Sequence, residues 1–119
     1  MSRVDWYALY PSAFVLKIRE GQVEEYRRRH VEIWPELKAA LRASGLVHYT
    51  IWLDAPGRRV FGHMLRDQPP KSVAEDPAVL RWLAYMADVL EMEADRPASI
   101  PVEQVFLLTD RDRAPPVTL

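Results

Sequence analysis

The sequence predicts one α+β domain, an antiparallel sheet carrying its helices on one face. Three observations predict it. The apolar period alternates between two residues and three or four, in the order strand, helix, strand, strand, helix, strand. Turn and capping residues stand where the period changes. The chain's 119 residues suffice to bury one modest core and exclude a second full domain.

Residues 1–11 read as an N-terminal aromatic arm, because Trp6, Tyr7, Leu9 and Tyr10 are too apolar for a free tail and should pack on the body of this chain or of a partner. Residues 12–108 make the domain. The remainder, 109–119, is charged and then proline-rich, the composition of a tail.

Residues 12–18 predict the first strand, with Phe14, Leu16 and Ile18 on one face and Ala13, Val15 and Lys17 on the other. Gly21 breaks it. From Gln22 the residues Val23, Tyr26, His30, Ile33, Trp34, Leu37 and Leu41 step by three or four, the stripe of an amphipathic helix. Glu24 with Arg28 and Glu25 with Arg29 form acid-before-base pairs one turn apart, which makes the basic triplet 27–29 a solvated face. Pro35 lacks a backbone donor and crowds the residue before it, so the helix should kink or restart near 32–34. Ser44-Gly45 ends it.

Residues 47–53 and 58–65 predict two strands joined by the turn sequence Asp54-Ala55-Pro56-Gly57. Asp76-Pro77 is an N-cap and first-turn pair, from which Val79, Leu83, Met86 and Leu90 run down a second helix; residues 71–75 before it are ambiguous. Residues 102–108 predict the last strand. The order β-α-β-β-α-β is the split βαβ, or ferredoxin-like, arrangement. In the second and third strands both faces carry apolar groups, whereas a sheet wet on one side alternates cleanly. A second layer is therefore expected, and a second copy packing sheet to sheet, a homodimer, supplies it.

Composition narrows the function. Sixteen Lys and Arg against seventeen Asp and Glu leave a net charge of −1, too little field for general binding of nucleic acid or an anionic membrane. With no cysteine there is no disulfide, thiolate metal site or cysteine nucleophile, which fits a cytoplasmic protein. The N-terminal residues do not read as a signal peptide, and no stretch is apolar for the roughly 18 residues a membrane span needs. GxSxG, Walker A, GxGxxG and HExxH patterns are all missing, and no clustered His, Asp and Glu suggest a metal, so no cofactor is indicated.

His30 is the informative histidine, since it interrupts an apolar stripe between Tyr26 and Trp34, each one turn away. It is either a satisfied core or interface histidine or an acid–base group whose pocket opens at the Pro35 break. His48 and His63 stand at strand positions and read as surface or interface groups. Trp34, Trp52 and Trp82 with Tyr26, Tyr49 and Tyr85 offer apolar rings with polar handles, which suit core packing or a ligand with C–H faces such as a sugar. Asp88 is a candidate carboxylate base, against the simpler reading of an exposed or helix-capping acid.

The runs Ala13-Phe14-Val15-Leu16, Glu24-Glu25-Tyr26-Arg27-Arg28-Arg29-His30, Ile33-Trp34-Pro35-Glu36-Leu37, Tyr49-Thr50-Ile51-Trp52-Leu53-Asp54, Arg81-Trp82-Leu83-Ala84-Tyr85-Met86-Ala87-Asp88-Val89 and Glu103-Gln104-Val105-Phe106 resemble the L-rhamnose mutarotases over residues 12–108. The resemblance implies a dimeric ferredoxin-like α/β barrel that interconverts the α and β anomers of L-rhamnose, or a related 6-deoxy sugar, without a cofactor. By position His30 resembles the family's proton donor, and Tyr26, Tyr49 and Trp82 its sugar-contacting residues. The family pattern places two adjacent tryptophans on the second helix; here Trp82 is followed by Leu83 in the second sugar-contacting place.

Mutarotation needs an acid and a base: one proton leaves the anomeric hydroxyl, one reaches the ring oxygen, and the open aldehyde recloses on either face. Histidine, ordinarily near pH 6.5, serves either way, whereas tyrosine, near 10, orients or donates a hydrogen bond. His30 is accordingly assigned transfer at the ring oxygen, with Tyr26 and Tyr49 orienting and the base at the anomeric hydroxyl open. Two rivals share the fold or the ligand: a dimeric ferredoxin-like cofactor-free monooxygenase or heme-handling enzyme, and a non-enzymatic sugar-binding module.

Overall fold

A computed structural model describes residues 5–69 and 76–109. A 3-10 turn, Trp6–Ala8, leads into β1 (Tyr10–Lys17), followed by α1 (Val23–Val31), α2 (Pro35–Ala43), β2 (Leu46–Asp54), β3 (Arg59–Arg66) and α3 (Pro77–Met86). Two short strands, β4 (Met92–Glu93) and β5 (Arg96–Pro97), precede β6 (Ser99–Val102). The fold is mixed α+β, its four-stranded sheet running β2-β3-β1-β6 with every neighbour antiparallel, while β4 and β5 pair separately.

Register turns the strand alternation into two faces. Leu16 and Leu53 both stand opposite Val60, and Phe14 and Ile51 both stand opposite Gly62. Against this face pack Tyr26 of α1 and Met86 of α3, with Ile18, Val89 and Leu90 closing the core. Gly62 is a close-approach position: any Cβ there would collide with the ring of Phe14, so glycine lets that ring lie across the strand.

The expected helix break is present. α1 ends at Val31, Trp34 has extended backbone with ψ 134°, and Pro35 opens α2 at its first position. Gly45 takes φ +94° just past α2, a conformation open to glycine at little cost. Asp76 caps α3 as the sequence predicts, its carboxylate accepting from the backbone N–H of Ala78 at 2.9 Å and of Val79 at 3.4 Å. The ambiguous residues 71–75 lie outside the described residues.

Three expectations are corrected. Strand β1 begins at Tyr10 rather than at residue 12, so the end of the aromatic arm joins the sheet, and Tyr7 and Leu9 border a groove with His63, Leu65 and Leu107. The second helix stops at Met86, after which Val89 and Leu90 are buried by a bend, Leu90 bridging to Ile18. The last strand is Ser99–Val102 rather than residues 102–108. It pairs with β1 at the edge of the sheet, where Pro101 leaves no needed donor missing. Residues 103–108 carry no strand, and Val105 and Phe106 are exposed.

Candidate functional site

Between the apolar sheet face and the helices lies a cavity of about 340 Å³. The sheet supplies Phe14, Leu16, Tyr49 and Ile51, α1 supplies Tyr26 and His30, and α3 supplies Val79, Trp82, Leu83 and Met86. The structure thus brings together all five sequence-predicted site residues: Tyr26, His30, Tyr49, Trp82 and Leu83. Arg96 and Ser99, from the β4–β5 hairpin and the start of β6, also border the cavity; neither is legible from sequence pattern, because strands of two and four residues carry too little periodicity.

His30 is held from three sides. The stacked ring of Tyr26 lies 4.1 Å away between centroids, the indole of Trp82 stands edge-on at 5.4 Å, and Nδ1 lies 2.9 Å from the backbone oxygen of Tyr26. A carbonyl only accepts, so Nδ1 carries the hydrogen and Nε2 is the nitrogen left for exchange. Burial lowers the pKa of His30, opposed by that backbone bond, and the ring is neutral at neutral pH.

The two tyrosines stay protonated. Desolvation raises the Tyr26 hydroxyl well above its ordinary range, and it pushes Tyr49 up to about 12. Both offer hydroxyl groups, not phenolate bases. Phe14 meets Tyr49 edge-on at 6.3 Å, which fixes the tyrosine ring against the sheet. Trp34, read as a pocket candidate, braces the wall from outside the cavity lining, edge-on to Trp82 at 5.1 Å.

One reading of a charged residue changes, and the simpler reading of Asp88 as an exposed acid holds. Arg29 was expected on a solvated face, yet its side chain is only 9% exposed and bonds Glu25, the backbone oxygen of Tyr85, and Asp88. Asp88 is 70% exposed and outside the cavity, so it is an ion-pair partner and not a base in the pocket. The other two arginines do lie in the wet face: Arg27 pairs with Glu24, and Arg28 with Glu25 and Glu32. His48 and His63 face each other at 6.3 Å, from strands β2 and β3 on the opposite side of the sheet. Among the described residues no three His, Asp or Glu side chains gather as metal ligands would, and no helix is long and apolar enough to cross a membrane.

Comparison with known proteins converges. The family model described as L-rhamnose mutarotase matches residues 12–108. The L-rhamnose mutarotase of Sinorhizobium fredii (strain NBRC 101917 / NGR234) is 38% identical over 100 residues, covering 82% of this chain and 96% of the relative. That of Rhizobium johnstonii is 43% identical over 93 residues, covering 76% and 85%. A crystal structure of an L-rhamnose mutarotase from Formosa agariphila superposes with a TM-score of 0.76 at 33% identity, covering 84% of this chain and 99% of that one.

Proposed function

Since the chain belongs to the L-rhamnose mutarotase family, we propose that it interconverts the α and β anomers of L-rhamnose by opening and reclosing the pyranose ring in the His30 cavity. One arrangement carries the reading: an imidazole with one nitrogen tied to backbone and the other left to a cavity walled by aromatic rings. The activity is an isomerisation, and its direct test is the exchange rate between the two anomeric protons of L-rhamnose, measured by NMR saturation transfer. Saturation that fails to pass between anomers faster with the protein than without it would overturn the reading.

The residues divide the work. From its imidazolium form His30 gives the Nε2 proton to the ring oxygen as the C1–O5 bond breaks, the anomeric hydroxyl loses its proton and C1 becomes the aldehyde carbon; in reclosure the same nitrogen takes back the proton it gave. Rotation about C1–C2 in the open aldehyde presents the other face to O5. Tyr26 and Tyr49, held neutral by desolvation, orient sugar hydroxyls, and Trp82 and Leu83 cover the C–H faces. The acceptor of the anomeric proton carries no assignment to a side chain.

A pH prediction follows from the donor role. Because burial depresses the His30 pKa, the imidazolium is a minor but stronger acid at neutral pH. Enzyme-catalysed exchange should rise as pH falls from 8 and level off only below the ordinary histidine value of about 6.5. A rate that falls across that interval would make neutral His30 the acceptor of the anomeric proton instead.

The sheet order β2-β3-β1-β6, with the helices on one face, supports a ferredoxin-like fold closed by a second copy into a dimeric barrel. The opposite face exposes Trp52, Phe61 and Ile100, with Val105 and Phe106 beyond it, and a homodimer buries these together. We expect a dimer at micromolar concentration; a light-scattering mass near 13.8 kDa would contradict it. The lack of cysteine supports a reducing, cytoplasmic setting.

A further inference from the structure

We propose that Arg29 is a positioning residue for the sugar pocket: clamped between Glu25 and Asp88, it seats the ring of Tyr85 and thereby fixes Trp82 against His30. The inference rests on the mutarotase reading for its kinetic part alone.

The geometry is that of a clamp across two segments distant in sequence. Arg29 Nε donates to Glu25 at 2.9 Å, one helical turn back on α1. Its Nη1 donates to Asp88 Oδ1 at 2.9 Å and Nη2 to Oδ2 at 3.3 Å, a two-point fork on a carboxylate just beyond the end of α3. Nη1 also donates to the backbone oxygen of Tyr85 at 2.5 Å, and the guanidinium carbon lies 4.1 Å from the centre of the Tyr85 ring. One side chain therefore fixes the carboxylate, the carbonyl and the ring at the C-terminal end of α3.

From that end the contacts run to the pocket. Tyr85 packs 5.3 Å from Trp34 and 5.8 Å from Trp82, Trp34 and Trp82 meet at 5.1 Å, and Trp82 stands edge-on to His30 at 5.4 Å. Of these, only Trp82 and His30 border the cavity; Arg29, Asp88, Tyr85 and Trp34 stand behind it. These ring contacts give the ion pair a route to the sugar through the placing of Trp82.

Stability alone is a poor account of the clamp. Burying a guanidinium costs much of what its ion pair returns, and apolar replacements of such pairs are often as stable. What a fork, a carbonyl bond and a ring stack supply together is a single orientation. The clamp is also constant where His30 titrates: hydrogen bonds from Arg28 and Arg29 hold Glu25 at about 2, and the bond from Arg29 lowers Asp88.

Asp88→Asn tests this on the full chain, at an exposed residue outside the cavity. The variant should keep its far-ultraviolet circular dichroism while the near-ultraviolet signal of the Trp34–Trp82 pair changes. Its KM for L-rhamnose should rise about two- to fivefold, within what removal of the Trp82 indole costs, with kcat altered less than about twofold, as expected when binding shared by ground and transition state is lost. Asp88→Glu, which restores the charge, should recover most of the KM. Arg29→Lys, which keeps the charge but loses the fork, should behave like Asp88→Asn. Wild-type KM in Asp88→Asn, whatever its melting temperature, would reduce the clamp to a brace and overturn the proposal. If the wild-type chain exchanged no anomers, the mutarotase reading would fall, and the near-ultraviolet signal, which needs no sugar, would decide the clamp: unchanged in Asp88→Asn, it overturns it.

Discussion

Replacing His30 by Ala should cut L-rhamnose anomer exchange by at least about 10²-fold while leaving the chain folded, the lower end of what a positioned proton-transfer group contributes. The loss is large because no other titratable side chain with an ordinary pKa near neutrality borders the cavity among the described residues; the neighbours there are two tyrosines held protonated and the guanidinium of Arg96. The fold should survive because His30 is only partly buried and stands in the last turn of α1, where alanine is a better helix former. What is lost structurally is one ring stack on Tyr26, one edge contact with Trp82 and the Nδ1 hydrogen bond to the Tyr26 carbonyl. Saturation transfer at several enzyme concentrations measures the effect, and a near-native rate constant would remove His30 from the mechanism.

The parts of this site that the sequence made legible are those governed by local rules. Tyr26 and His30 share a face because residues four apart on a helix do, and the helix stops beyond them because Pro35 cannot continue it. Asp76-Pro77 announces α3 and so fixes where Trp82 and Leu83 point. Arg29 was illegible for the same reason in reverse. Its local spacing matches a solvated ion pair with Glu25, and only the fold brings Asp88, 59 positions further on, to its other side. The last strand misled because residues 102–108 are rich in apolar residues, Val102, Val105, Phe106, Leu107 and Leu108, while Pro97 and Pro101 argue against a strand before them. At a sheet edge a proline is tolerated, and Ser99–Val102 takes the place beside β1.

The second large effect is expected at Trp82 and Leu83. Trp82→Ala removes the indole that faces both the cavity and His30, and the loss of one aromatic contact, about 0.5–1.5 kcal/mol, should weaken L-rhamnose about two- to tenfold. Its stability should fall as well, since the same indole packs on Trp34 and Tyr85. Leu83→Trp runs the other way. Leu83 borders the cavity beside Trp82, and the cavity of about 340 Å³ leaves space on that side, so a second indole should tighten binding by a similar factor with little change in the saturated exchange rate. The competing outcome is physical too: Val79 and Met86, the buried members of the same helical stripe, also border the cavity, and an indole turned toward them would overpack the core at about 1–3 kcal/mol. Titrating L-rhamnose and melting both variants separates the two, because a Leu83→Trp chain that melts early without gaining affinity assigns Leu83 to the core and leaves Trp82 as the aromatic wall of α3.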